Sequence, residues 1–183
     1  MRQGFHLDRP ARPWVLLRVL LNLVWLGGLV CGSGAYAQFE KTPWPAAAPS
    51  LSETFKDHTG QSISSESLKG KKLVINFWAT WCAPCKEELP TLQIFSDLQD
   101  PTHTRVLTIN VKEPASRALR FMQNNQITLP LVPDPQGEWA KKFDVKVFPT
   151  TLLVAPSGQI RWRIVGEVDW SSKSPQMWLD SLR

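Results

Sequence analysis

The order of strand-like and helix-like segments predicts an α/β domain with a mixed central sheet flanked by helices on both faces. Three observations carry that expectation. Residues 73–78, Leu73-Val74-Ile75-Asn76-Phe77-Trp78, are almost continuously apolar, the signature of a central strand covered on both sides. A helical stripe follows directly, with Leu89, Leu92, Phe95 and Leu98 spaced along one face. Residues 151–155 and 159–166 are two strand-like runs joined by Pro156-Ser157-Gly158, which makes them a hairpin.

The remaining elements follow in chain order. Arg2, Arg9, Arg12 and Arg18 precede an apolar stretch over residues 19–30, and Ala35-Tyr36-Ala37 has the small-x-small form of a cleavage site. Residues 1–37 are therefore expected to be an export signal, with an uncleaved membrane anchor as the alternative. An anchor needs ~20 apolar residues, and extending this stretch that far takes in Arg18, Asn22 and Ser33. Cys31 falls inside the segment and is discarded with it. Residues 38–50, with Pro43, Pro45 and Pro49, read as an extended tether, so the domain is expected over 51–183. A short strand near residues 52–56 leads to a turn at Thr59-Gly60-Gln61, and a second turn at Gly70 precedes the central strand. Pro90 is expected to kink the helix after that strand. Residues 105–111 read as another strand. Ala115, Ala118, Leu119 and Met122 give an amphipathic helix. Residues 133–137 read as a loop, 138–143 as a short helix, and about 175–182 as the last helix.

Composition narrows the function classes. Residues 1–37 hold four Arg and one Asp, so their removal takes three positive charges from a formal +5, leaving +2 on 146 of the 183 residues. A nearly neutral single domain with no basic stripe does not suit nucleic acid. Arg161-Trp162-Arg163 alternates as a strand does, with the arginines in water. Two cysteines in the expected mature chain, both in one motif, do not make a disulfide scaffold, so the core must be hydrophobic.

That motif is Trp81-Cys82-Ala83-Pro84-Cys85, placed between the apolar strand and the start of the helix. Two thiols three positions apart can close and reopen a disulfide. Exposed N–H groups and the dipole at a helix start favour an anion, which makes the first thiol more acidic than an ordinary cysteine near ~8.5. Other roles for the pair stay open on spacing alone. A zinc site needs four ligands, and Cys31, His6, His58 and His103 stand at no partner spacing. Haem attachment needs His where Lys86 stands. A purely structural disulfide gains little from so short a loop.

At this point the chain resembles the thioredoxin-like superfamily, and more closely the exported TlpA/ResA-type thiol-disulfide reductases. The matching blocks are the run from Asn76 through Trp81-Cys82-Ala83-Pro84-Cys85-Lys86-Glu87-Glu88-Leu89-Pro90, then Leu131-Val132-Pro133-Asp134-Pro135, and Val147-Phe148-Pro149-Thr150-Thr151 followed by Pro156-Ser157-Gly158. The resemblance covers about residues 50–182. It implies a thioredoxin-like fold, a cis Pro149 beside the cysteines, and a Phe148 backbone that pairs with an incoming peptide. Trp81 is expected to shield the sulfurs, with simple packing as the alternative. In the implied reaction Cys82 attacks the client disulfide and Cys85 resolves the adduct. Glu88 handles protons, the alternative being a solvated helix carboxylate, the role that suits Glu87.

An ionised Glu88 three residues after Cys85 is expected to oppose the thiolate and hold Cys82 less acidic than in a strong oxidant. Asn76 stands where thioredoxin itself has a buried carboxylate. No organic cofactor and no metal is expected. The implied setting is the periplasm, or the periplasmic face of the inner membrane if the anchor is retained. The implied partners are a disulfide-containing client protein and a membrane thiol-electron transporter that returns electrons to a monomer. Cytochrome c maturation is one client role that fits. The rivals are a disulfide oxidase or isomerase, a metal or haem chaperone on the same fold, and a thiol peroxidase, which Thr80 only two residues before Cys82 does not favour.

Overall fold

The computed structural model describes residues 39–46, 48 and 50–182. The segment expected to be an export signal, with Cys31 and His6, lies outside them. Among the described residues, eight strands and five helices run in the order β1 (Phe39–Pro43), β2 (Thr54–Lys56), β3 (Ser62–Ser64), α1 (Ser65–Leu68), β4 (Lys72–Trp78), α2 (Ala83–Asp97), β5 (Thr104–Val111), α3 (Ala115–Asn124), β6 (Leu131–Asp134), α4 (Glu138–Lys142), β7 (Thr150–Val154), β8 (Ile160–Gly166) and α5 (Lys173–Asp180). Six strands form one mixed sheet in the order β1-β8-β7-β4-β5-β6, and β2-β3 is a separate hairpin. β4 is parallel to β5 and antiparallel to β7. Among the described residues no helix is long and apolar enough to cross a membrane.

Strand periodicity sorts the core into two layers. Alternate residues of β4 point to opposite faces, so Val74 and Trp78 join Leu89, Leu92 and Phe95 of α2, Met122 of α3 and Leu179 of α5. Leu73, Ile75 and Phe77 point the other way, to Phe55 of β2, Leu68 of α1 and Ala140 of α4. Asn76 shares the parity of Val74 and Trp78. The only polar residue in the strand's apolar run thus faces α2, the helix that begins at the cysteines.

Two expectations need correction. Phe39–Pro43 is an edge strand antiparallel to β8, from Phe39↔Gly166 to Pro43↔Trp162, and not part of a tether. Ala37–Arg183 form one compact unit, so the domain begins well before residue 51. The physical reason is side-chain packing. Phe39 meets Trp178 edge-on at 5.3 Å, and Lys41 Nζ lies 3.0 Å from the centre of the Trp162 ring. Proline is compatible with such a strand because an edge position needs no donor towards solvent. The same rule accounts for β6: Leu131–Asp134 pairs in parallel with β5, with Pro133 opposite Asn110 on the outer edge, where the sequence reads as a loop from Pro133 onward.

Candidate active site

Cys82 is the N-cap of α2, in extended conformation, with Pro84 in the first turn. Its sulfur is bonded to that of Cys85, with the Cα atoms 5.3 Å apart. The backbone N–H of Cys85 donates to Cys82 Sγ at 3.3 Å, so a sulfur takes the place that a Ser or Asp oxygen occupies in an ordinary cap. The same donor stabilises negative charge on that atom when the bond is reduced. Exposure separates the two sulfurs. Cys82 is 7% exposed and Cys85 0%, so an outside disulfide can reach only the first.

An apolar rim adjoins the pair. Trp81 is 56% exposed and meets Phe148 edge-on at 5.6 Å, and Val147 is exposed beside it. The Phe148–Pro149 peptide bond is cis. The backbone amide and carbonyl of Phe148 have no hydrogen-bond partner among the described residues. Pro149 itself is buried, and its carbonyl accepts from the Gly166 N–H.

Glu88 differs from the solvated helix carboxylate it could have been. It lies one turn after Cys85 and is 1% exposed. Trp170 Nε1 donates to its Oε1 at 2.6 Å and Asn76 Nδ2 to its Oε2 at 3.3 Å, while the same Asn76 nitrogen donates to Thr151 Oγ1 at 2.9 Å. Burial dominates these hydrogen bonds and pushes the Glu88 carboxyl up to about 8. The expected repulsion between an ionised Glu88 and the Cys82 thiolate therefore does not operate at neutral pH, where the carboxyl is mostly protonated. Glu87, by contrast, is exposed.

Sequence reading missed a second buried acid. Glu113 is 4% exposed and accepts from the Thr80 backbone N–H at 2.7 Å, from the Thr80 hydroxyl and from the Asn110 side-chain amide. It follows β5 directly, at the C-terminal ends of the parallel strands, where open α/β sheets carry their sites. That position was the available signal. Glu113 fixes the loop that enters the cysteine motif, two residues before Cys82. Replacing it with Gln keeps the size but removes one acceptor oxygen. Glu113→Gln is expected to lower the unfolding free energy by ~1–3 kcal/mol in a urea titration, and an unchanged midpoint would remove Glu113 as the anchor of this loop.

Among the described residues no three His, Cys, Asp or Glu side chains are grouped to hold a metal ion.

Comparisons with known proteins match this geometry. Residues 46–163 match the AhpC/TSA family. The chain is 32% identical over 152 residues to sporulation thiol-disulfide oxidoreductase A of Bacillus subtilis (strain 168), covering 81% of this chain and 90% of that protein. It is 29% identical over 154 residues to thiol-disulfide oxidoreductase ResA of Geobacillus thermodenitrificans (strain NG80-2), covering 83% and 87%. Among solved structures, StoA from Bacillus subtilis superimposes with a TM-score of 0.59 at 28% identity, over 72% of this chain and 98% of that one. A DsbF homologue from Corynebacterium diphtheriae gives 0.67 at 26% identity, over 82% and 96%.

Proposed function

As this chain belongs to the AhpC/TSA family and carries a Cys-x-x-Cys pair at a helix start, we propose that it is an exported reductase of client-protein disulfides. Its fold is thioredoxin-like, and it is a thiol-disulfide oxidoreductase of the ResA/StoA type. One observation carries the roles: the two sulfurs are bonded, yet only Cys82 has any exposure and receives the Cys85 N–H.

In the proposed reaction the Cys82 thiolate attacks one sulfur of the client disulfide. A mixed disulfide forms, and the displaced client sulfur leaves as a thiolate that takes up a proton. The Glu88 carboxylate, the minor form at neutral pH and about half of the population at pH 8, then takes the Cys85 proton, and the Cys85 thiolate attacks Cys82 Sγ. The second client sulfur leaves as a thiolate that takes up a proton, and the Cys82–Cys85 bond remains. Two electrons have passed from the enzyme dithiol to the client disulfide. Trp81, Phe148 and Pro149 receive the client, whose extended backbone pairs with that of Phe148. The redox group is the cysteine pair itself, with no organic cofactor or metal.

Ala83 and Pro84 add no charge to hold a thiolate, which favours donating electrons over accepting them. In an oxidising compartment a membrane thiol-electron transporter must return those electrons. The arginines and apolar stretch of residues 1–37, read as an export signal, support a periplasmic location, with cytochrome c precursors as one client class that fits and a monomer as the working state.

The decisive experiment replaces Cys85 with Ala and analyses the purified protein by non-reducing electrophoresis and mass spectrometry. Client proteins are expected to accumulate on Cys82 and to vanish in the Cys82→Ser/Cys85→Ala double variant. Adducts that persist in the double variant would refute the assignment of Cys82. A reduction potential as high as that of strong protein oxidants would reverse the proposed direction.

A further inference from the structure

We propose that the groove lined in part by Phe148 recognises an acidic segment beside the client's disulfide. This rests on the reading of the chain as an oxidoreductase of protein disulfides, and it supplies the client's charge. The groove measures about 440 Å³ and is lined by Lys112, Lys141 and Lys146 together with Gln136, Gly137 and Phe148. No acidic side chain is among its lining residues.

Three features make this more than scattered surface lysine. Lys112 stands just past the end of β5 with a left-handed φ of 57°, and its ε-carbon lies 3.1 Å from where a Cβ on Gly137 would be. Gly137, itself at φ 74°, leaves room for the Lys112 stem to lie against it, where any side chain would crowd it. Neighbouring cations are already committed: Lys142 pairs with Glu53 at 2.7 Å and Lys146 with Asp144 at 2.9 Å. Lys112 and Lys141 have no ion-pair partner among the described residues, so they present uncompensated charge. Phe148, whose backbone amide and carbonyl have no hydrogen-bond partner among the described residues, is itself one of the groove's lining residues. A client strand that pairs there carries its flanking residues past the lysines. The expected mature chain has a formal charge of only +2, so this concentration is a local property and not the average of a basic surface.

The probes are three peptides with the same internal disulfide, flanked by Glu, Ser or Lys residues. Second-order rate constants for oxidation of the reduced protein by each are measured at low ionic strength and in 0.5 M NaCl. The Glu peptide is expected to react about tenfold faster than the Lys peptide at low salt, with the ratio approaching one at high salt. In Lys112→Ala/Lys141→Ala the low-salt ratio should fall to about two, and in Lys112→Glu/Lys141→Glu the order should reverse. The ratio is taken within each protein, so a general loss of rate cancels. Should the variants not fold, the salt series on the native protein decides alone.

A ratio near one at low salt, or one that survives the double Ala substitution, overturns the groove. If the Ser peptide reacts normally in that case, the oxidoreductase reading stands without it. Failure of all three peptides to oxidise the reduced protein overturns both.

Discussion

Cys82→Ser is expected to abolish disulfide exchange, lowering the second-order rate constant for a peptide disulfide on the order of 10³-fold or more. Such a loss corresponds to ~4 kcal/mol of barrier. Cys85→Ser should leave the first attack within about tenfold of the native rate, while release of reduced product stops. The asymmetry follows from the helix start. Cys82 alone combines some exposure with a backbone N–H aimed at its sulfur, whereas Cys85 is fully enclosed and can meet only a disulfide already formed on Cys82. A serine hydroxyl at position 82 could keep the cap hydrogen bond but is not ionised near neutral pH. Stopped-flow mixing of each reduced variant with the peptide, followed by mass analysis of the quenched protein, separates attack from resolution. Equal losses in the two variants would mean that the sulfurs are interchangeable and that enclosure of Cys85 does not set their roles.

The parts of this site that the sequence displays are local ones. Cys82 and Cys85 are three residues apart, and the helix that makes them differ starts beside them. Asn76 could be assigned to the α2 face by counting alternate residues along β4. What stayed hidden depends on contacts distant along the chain. Glu88 is buried by Trp170, 82 residues later, and Asn76 reaches Thr151 across 75 residues, so the helical spacing from Cys85 that favours Glu88 over the exposed Glu87 does not display how it is buried. Glu113 binds Thr80 from 33 residues away. The strands β1 and β6 were obscured for a different reason. Each carries proline, and proline argues against a central strand but not against an edge, a distinction that needs the sheet order. The groove lysines come from two stretches of chain, Lys112 after β5 and Lys141 with Lys146 at and after α4, and converge only through the fold.

Glu88 supplies the second large effect, because its carboxyl is held at about 8 in the native protein against an ordinary value of 4.5. Below 4.5 both folded and unfolded chains carry the proton, and the stability associated with this group is fully present. Between 4.5 and 8 the unfolded chain releases the proton while the native chain keeps it, so stability falls as pH rises. Each unit is worth ~1.4 kcal/mol, so the loss over the window is on the order of 5 kcal/mol at most. Glu88→Gln carries no proton to lose. Its stability should match the native protein near pH 4.5 and exceed it by ~3–5 kcal/mol above pH 8, measured by denaturant titration at each pH.

The same substitution should slow resolution of the mixed disulfide by ~10²-fold or more at pH 8, where native Glu88 is about half ionised and can take the Cys85 proton. The first attack by Cys82 should change far less. Asn76 makes both charge states of Glu88 tolerable: its NH₂ serves the carboxylate, and the amide turned over offers an oxygen to the protonated acid. An aspartate there would add a second buried charge and raise the cost of ionising Glu88. Parallel stability curves for the native protein and Glu88→Gln across this window would show that Glu88 titrates as an ordinary glutamate, and would remove its role as the base for Cys85.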